Sequence, residues 1–263
     1  MSQQVEDHFQ RKVAAFLTLR SSENSFIEAQ LLGNRRALPR DTTLLQQGEP
    51  AENAYVLLSG WAIRTKSLSD GRRQVLGIIL PGDLIGAEAH VLAASSATVA
   101  TLTPCILTEF RAAAIVEMLK KEPRLATSLL WMIAREEAFL GDRLLSVGRQ
   151  SAFERVGLFF VELYHRLKLV GLVEETSFEY PLTLDILADA LGMSMVHASR
   201  TMQKLRSAQL VRRVNRRLHI LDLETLERKT EFAGLYLGRR LVEGERFLRP
   251  KFDDKMRVSR SRM

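Results

Sequence analysis

Between Thr183 and Leu221 capping residues, a glycine and apolar positions fall in an order that constrains the fold more than any other stretch of the chain. Thr183 stands where it can cap a first short helix, whose Leu184, Leu187, Ala188 and Leu191 recur at helical spacing and would face inward. Gly192 supplies the left-handed or tight conformation that ends this helix, and Ala188 is small enough for a second helix to cross close above it. Ser194 caps that second helix. Its spacing predicts a buried side of Ala198, Thr201, Met202 and Leu205 and an outward side of Met195, Val196, Ser199, Arg200 and Gln203. Arg212–Val214 and Leu218–Leu221 then read as two strands flanking a tight turn at Asn215-Arg216.

Charge says what such a scaffold would meet. From Ala190 to Leu221 there are seven basic residues (Arg200, Lys204, Arg206, Arg212, Arg213, Arg216, Arg217) and no Asp or Glu, directly after an acidic first helix. That is the footprint expected against the phosphates of double-stranded DNA. The residues placed to read bases are Met195, Val196, Ser199 and Arg200, on the N-terminal half of the second helix. Flanking or phosphate contacts fall to Thr183, Ser194, His197, Gln203, Lys204, Arg212 and Arg216, although a solvated helix-end residue is the more ordinary role for His197. A net charge of +7 and a pI of about 9.8 agree with an acidic polymer as partner.

Bulk properties exclude several classes. The 263 residues suffice for two ordinary domains. Cys105 is the single cysteine, which rules out an intrachain disulfide and any all-cysteine metal or iron-sulfur cage and suits a reducing cytoplasm. The longest apolar runs, Val75 to Leu84 and Val156 to Leu163, are interrupted and fall short of the ~20 residues a bilayer span requires, so no membrane partner is expected. The N-terminus does not read as a signal peptide. Five scattered histidines give no pair at metal-ligand spacing, and no nucleophile-base arrangement can be assembled; neither an enzyme nor a bound cofactor is expected.

Upstream, the texture changes twice. Residues 1–35 read as amphipathic helix with Phe9, Val13, Phe16 and Leu17 on one stripe. From Ala37 to about Ile106, short β-type runs alternate with turns such as Gln47-Gly48, Ser59-Gly60, Asp70-Gly71 and Pro81-Gly82-Asp83, the pattern of an antiparallel roll, sandwich or barrel. Helix returns from Ala112 to about Val147. There Ala126, Leu130, Ile133, Glu137, Leu140, Leu144 and Val147 alternate by four and three, beside a second stripe of Leu125, Leu129, Met132 and Phe139. Periodicity alone leaves open whether one stripe meets a second copy of the chain or both are buried within it. The fold class is therefore α+β: an N-terminal helix and β-roll (1–118), a dimerisation helix (119–148), a winged helix-turn-helix (150–228) and a basic extension (229–263).

This order of parts resembles the Crp/Fnr superfamily of bacterial transcription regulators. The resemblance covers about residues 30–225. It rests on Gln47-Gly48-Glu-Pro-Ala-Glu-Asn-Ala-Tyr55-Val-Leu-Leu-Ser-Gly60, Asp70-Gly71-Arg-Arg-Gln-Val, Leu80-Pro81-Gly82-Asp83-Leu-Ile-Gly86 and the recognition segment; Asp70-Gly71-Arg-Arg-Gln and Val196-His197-Ala198-Ser199-Arg200-Thr201 are most similar to the FixK-type and related proteobacterial branches. It implies a homodimer that reads a palindromic operator and contacts RNA polymerase. It also locates an effector pocket, at Gly86, Ala87, Glu88, Ser95 and Ser96. In members that bind cyclic AMP, a Gly-Glu pair holds the ribose and an Arg-Ser pair the cyclic phosphate; here the matching residues are Gly86-Ala87 and Ser95-Ser96, so that ligand is not expected in the usual mode. Glu88 lies one residue late, and alternation along a strand would turn it to the opposite face. The cysteine cluster of the oxygen-sensing branch is absent from residues 1–35, so no iron-sulfur cluster is expected. Val196 replaces a Glu that pairs with cytosine in relatives, while Arg200 matches their guanine reader. The effector, if any, is left unidentified. A competing reading is a ligand-binding β-roll module whose C-terminal domain docks protein rather than DNA. Residues 239–263, with nine basic and four acidic residues, read as a solvated charged tail or as extra nonspecific DNA affinity.

Overall fold

The computed structural model describes residues 7–90, 92–232 and 234. Helices α1 (Asp7–Ala14) and α2 (Ser21–Phe26), the latter continued by a π-helical turn at Ile27–Leu31, precede eight strands: β1 (Arg35–Leu38), β2 (Thr43–Leu45), β3 (Asn53–Ser59), β4 (Ala62–Ser67), β5 (Arg73–Ile79), β6 (Leu84–Ile85), β7 (Thr98–Thr101) and β8 (Cys105–Arg111). Then come α3 (Ala113–Lys121), α4 (Pro123–Arg149), α5 (Ala152–Leu169), β9 (Ser177–Glu179), α6 (Leu184–Leu191), α7 (Met195–Ser207), β10 (Val211–Val214), β11 (Arg217–Ile220) and α8 (Leu223–Lys229). The stretch of basic tail from residue 235 onward lies outside the described residues.

The roll consists of two antiparallel sheets, ordered β1-β8-β3-β6 and β2-β7-β4-β5. Strand β3 is buried along Ala54–Leu58 because both its faces are covered. Tyr55 and Leu57 point into the roll, and Ala54, Val56 and Leu58 meet Phe9, Val13, Phe16 and Leu17 of the N-terminal segment. A strand covered on both sides reads as a continuous apolar run, which is what the sequence has there. Gly60 turns the chain after β3 at φ +88°, and a Cβ on it would fall 2.4 Å from the Pro104 carbonyl oxygen, so only glycine fits. Cys105 beside it is buried, its thiol donating to the carbonyls of Thr103 and Trp61, and burial raises its pKa.

The helical region after the roll is two helices rather than the single one expected from Ala112. Pro123 starts α4 at a position that needs no N–H, and it disfavours helical geometry at Glu122, which breaks the run. At 27 residues, α4 is about 40 Å long. Leu125, Leu129 and Met132 pack under the roll with the N-terminal helices. A third sheet, β10-β11-β9, backs the C-terminal helices; its β9 strand has too short an apolar run to stand out in the sequence.

The two halves share a core. Trp61, Ile63, Val75, Ile78 and Leu80 of the roll pack continuously with α5 and the C-terminal domain. Within that junction lies a buried ionic chain. Lys12 of α1 pairs with Asp83, which also accepts from the Leu80 amide (2.9 Å) and from Arg166 of α5 (2.7 Å). Arg166 in turn donates to Glu162 (3.0 Å) and the Ile78 carbonyl (2.8 Å). Arg143 of α4 makes a two-pronged contact with Glu162 and donates to the Leu76 carbonyl. Burial would raise the Asp83 carboxyl, but Lys12 and Arg166 outweigh it and hold the group at about 2.

Candidate nucleic-acid interface

Helix α6 ends at Gly192, which adopts the left-handed conformation (φ 61°), and Met193 donates back to the Ala188 carbonyl at 3.1 Å. Ser194 begins α7 with its hydroxyl accepting from the His197 amide at 3.2 Å. Thr183 occupies the N-cap position of α6 but does not cap it with its side chain. The Asp185 carboxyl in the first turn is held below its usual value, chiefly by the neighbouring Thr183 hydroxyl.

Ala198, Thr201 and Leu205 bury one side of α7 against α5 and α6, with Met202 half-buried. Met195, Val196, His197, Arg200, Gln203 and Lys204 are exposed on the other side, and Ser199 is half-buried at its edge. Two large apolar side chains, Met195 at 55% and Val196 at 61% exposure, open a helix that is otherwise polar outside. The protein's own packing gives them no role, which suits apolar contact in a groove. The hairpin β10–β11 turns through Asn215 and Arg216, with Asn215 at φ 54°.

The basic residues divide into two sets. Arg213 stacks over the Tyr180 ring (5.1 Å), and Arg217 binds Ser177 (3.1 Å) and Glu174 (3.0 Å), so both serve the domain itself. Arg200, Lys204, Arg206 and Arg212 are exposed and have no ion-pair partner among the described residues. Arg216 is exposed at the wing tip, 3.7 Å from Glu179.

The seam residues on α4 separate from the second stripe. Leu125, Leu129, Met132 and Phe139 are buried. Leu130, Ile133, Leu140, Leu144 and Val147 are exposed, as is Glu137; Ile133 is 60% and Leu144 77% exposed. Ala126 departs from its stripe, being buried within the chain.

Of the five positions expected to form an effector pocket, Ala87 and Glu88 meet at one cavity and Gly86, Ser95 and Ser96 do not line it. Ala87–His90 is a 3-10 helix rather than a strand, so the alternation argument for Glu88 fails: Ala87 and Glu88 line the same cavity of about 520 Å³, together with Arg64, Ile78, Leu129 and Ile133. Gly86 is buried at the strand end before it at φ +74°, where a Cβ would lie 3.0 Å from the Asn53 carbonyl oxygen. Ser95 is buried away from the cavity, its hydroxyl donating to the Ala97 carbonyl at 2.7 Å and its backbone tied to Gly48 and Glu49. Ser96 is exposed. Among the described residues, no helix is long and apolar enough to cross a membrane, and no group of three or more His, Cys, Asp or Glu is placed to hold a metal ion.

A half-exposed basic recognition helix, a wing and a β-roll carried on one long helix together define a DNA-binding transcription regulator. Residues 35–122 match the family model of the cyclic nucleotide-binding domain, and residues 154–229 that of the Crp-like helix-turn-helix domain. The chain is 32% identical over 181 residues to the transcriptional activatory protein AadR of Rhodopseudomonas palustris, covering 68% of this chain and 74% of that one. It is 30% identical over 174 residues to the nitrogen fixation regulation protein FixK of Azorhizobium caulinodans, covering 66% and 69%. Among solved structures it is similar to FixK2 from Bradyrhizobium japonicum, with a TM-score of 0.67 and 24% identity over 74% of this chain and 96% of that one. The chain belongs to the Crp/Fnr family of transcription regulators.

Neither the charged junction nor the capping of α6 by residues of other elements was found by sequence reasoning. Glu162 and Arg166, four residues apart inside the apolar run of α5, are the one local signal of the junction. Charges in such a run are rarely buried unless paired.

Proposed function

We propose that the protein acts in the cytoplasm as a homodimer that binds a palindromic operator and contacts RNA polymerase, as activators in the family do. The observation that carries this reading is the pair of surfaces left open on one chain, the outer face of α7 and the leucine-rich seam of α4. A two-fold axis through the seam would present two recognition helices to half-sites about 34 Å apart. Arg200 reads guanine in this account and Val196 meets a thymine methyl, with Met195 and Ser199 beside them. Thr183, Ser194, His197, Gln203, Lys204, Arg212 and Arg216 fix the helix on phosphates and flanking groups.

Replacement of Arg200 by Ala weakens binding to the preferred duplex by about 1–3 kcal/mol and relaxes preference at one base pair per half-site. Titration against a set of single-base operator variants checks this. An equal loss on every sequence would make Arg200 a phosphate contact instead.

The effector is not cyclic AMP held in the family's usual way, and no iron-sulfur cluster or other cofactor is required. What supports this is the chemistry present. Ala87 has no carboxylate for a ribose and Glu88, which lines the same cavity, lies one residue later than the family's; Ser95 has turned its hydroxyl to the Ala97 carbonyl, with no arginine alongside in Ser95-Ser96 for a cyclic phosphate. Calorimetry with cyclic AMP at micromolar concentration should give no saturable heat; a clear isotherm would overturn this.

A further inference from the structure

We propose that Arg73 and Gln74, at the start of β5, are positioning residues for DNA recognition: from the β-roll they cap the C-terminal turn of α6 and so fix the angle at which α7 is presented. The last carbonyls of a helix have no partner within it. In α6 each finds one elsewhere. Ala188 accepts from Met193 (3.1 Å), and Leu191 from Arg155 of α5 (2.8 Å). Asp189 accepts from the Gln74 side-chain amide at 2.7 Å, with the Ala190 carbonyl 3.4 Å from the same nitrogen. Arg73 adds a 2.9 Å contact to the Asp189 carboxylate and places a cation at the negative end of the helix.

Only Gly192, Met193 and Ser194 separate this capped turn from α7, so movement at the end of α6 is transmitted to the recognition helix. The Arg73–Asp189 pair is half-exposed and by itself contributes little. The amide cap holds the backbone itself. Strand β5 is fixed in turn, its Leu76 and Ile78 carbonyls being held by Arg143 of α4 and Arg166 of α5. The hairpin thus ties α6 to the same scaffold that carries the seam. Met195, Val196, Arg200 and Gln203 remain exposed with the cap in place, so it orients the reading face and does not cover it. Two heads on one duplex gain most when each is already aimed, because the second then binds at a high effective concentration. The proposal rests on α7 being the DNA-facing helix.

The test uses the full-length protein, a duplex enriched by the wild type from a random library, and a scrambled duplex of equal length and composition. Gln74→Leu removes the donor without changing charge. It should weaken binding to the enriched duplex about tenfold or more while leaving the scrambled duplex within about twofold, since only the paired-head geometry is lost. Gln74→Lys, which restores a donor, should recover most of the loss. Thermal unfolding verifies that each variant is folded, and Gln74→Asn, with a shorter reach, substitutes if Gln74→Leu is not. An equal loss on both duplexes, no loss, or tighter binding to the enriched duplex would each overturn the proposal. A wild type without preference between the duplexes would remove the DNA-reading premise, and the proposal with it.

Discussion

Replacing Ile133 with Asp should convert the protein to a folded monomer and lower its affinity for a palindromic duplex by about 100-fold or more, although no DNA-facing residue is touched. Ile133 is 60% exposed on the isolated chain, so a carboxylate there remains solvated and the monomer loses little stability. Across the seam the same carboxylate would be buried without a partner, at a cost of several kcal/mol. Leu140, at 49% exposure on the same stripe, should behave alike. Light scattering and duplex titration on one preparation decide the matter. A monomer that kept full affinity for the palindrome would place recognition in a single head, and an intact dimer would place the interface elsewhere.

A comparably large effect is expected on stability. Asp83→Ala removes a carboxylate that pairs with both Lys12 and Arg166 in the buried junction, and it should destabilise the fold by about 3–5 kcal/mol, because Lys12 loses its carboxylate in a low-dielectric site and Arg166 is left with Glu162, which it shares with Arg143. Urea unfolding measures this, and a loss below about 1 kcal/mol would contradict it. The pH dependence has a definite sign. The Asp83 carboxyl is depressed from 3.8 to about 2, so its contribution is fully present above about pH 4 and is lost as pH falls through about 2. At about 1.4 kcal/mol per pKa unit, this is on the order of 2 kcal/mol, and the acid-induced loss should shrink accordingly in the variant.

Local chemistry was legible in the sequence; pairing over long separations was not. The helix-turn-helix could be placed because its signals are neighbours: Gly192 ends one helix, Ser194 caps the next, and Ala198 and Leu205 recur at helical spacing. Thr183 shows the limit: it stands at the N-cap of α6, yet its side chain accepts no backbone N–H there. The α4 stripes were both visible, but which one faces the chain's own core depends on where the roll and α1 sit. Periodicity carries no such information. Likewise, the Lys12–Asp83–Arg166 chain joins residues 71 and 83 positions apart, and Gln74 meets Asp189 across 115. At the effector positions, the expectation of a strand failed because Ala87–His90 closes into a 3-10 turn, which brings Ala87 and Glu88 to one cavity.

The most direct test of the central claim, that the outer face of α7 reads DNA sequence, is a titration of the full-length protein against its enriched duplex and the scrambled control at several salt concentrations. Four exposed basic residues on each head without ion-pair partners among the described residues, Arg200, Lys204, Arg206 and Arg212, predict a log–log salt dependence with a slope of several units on both duplexes, together with tighter binding of the enriched one at every salt concentration. A flat salt dependence and equal affinity for the two duplexes would contradict the claim and favour a C-terminal domain that docks protein.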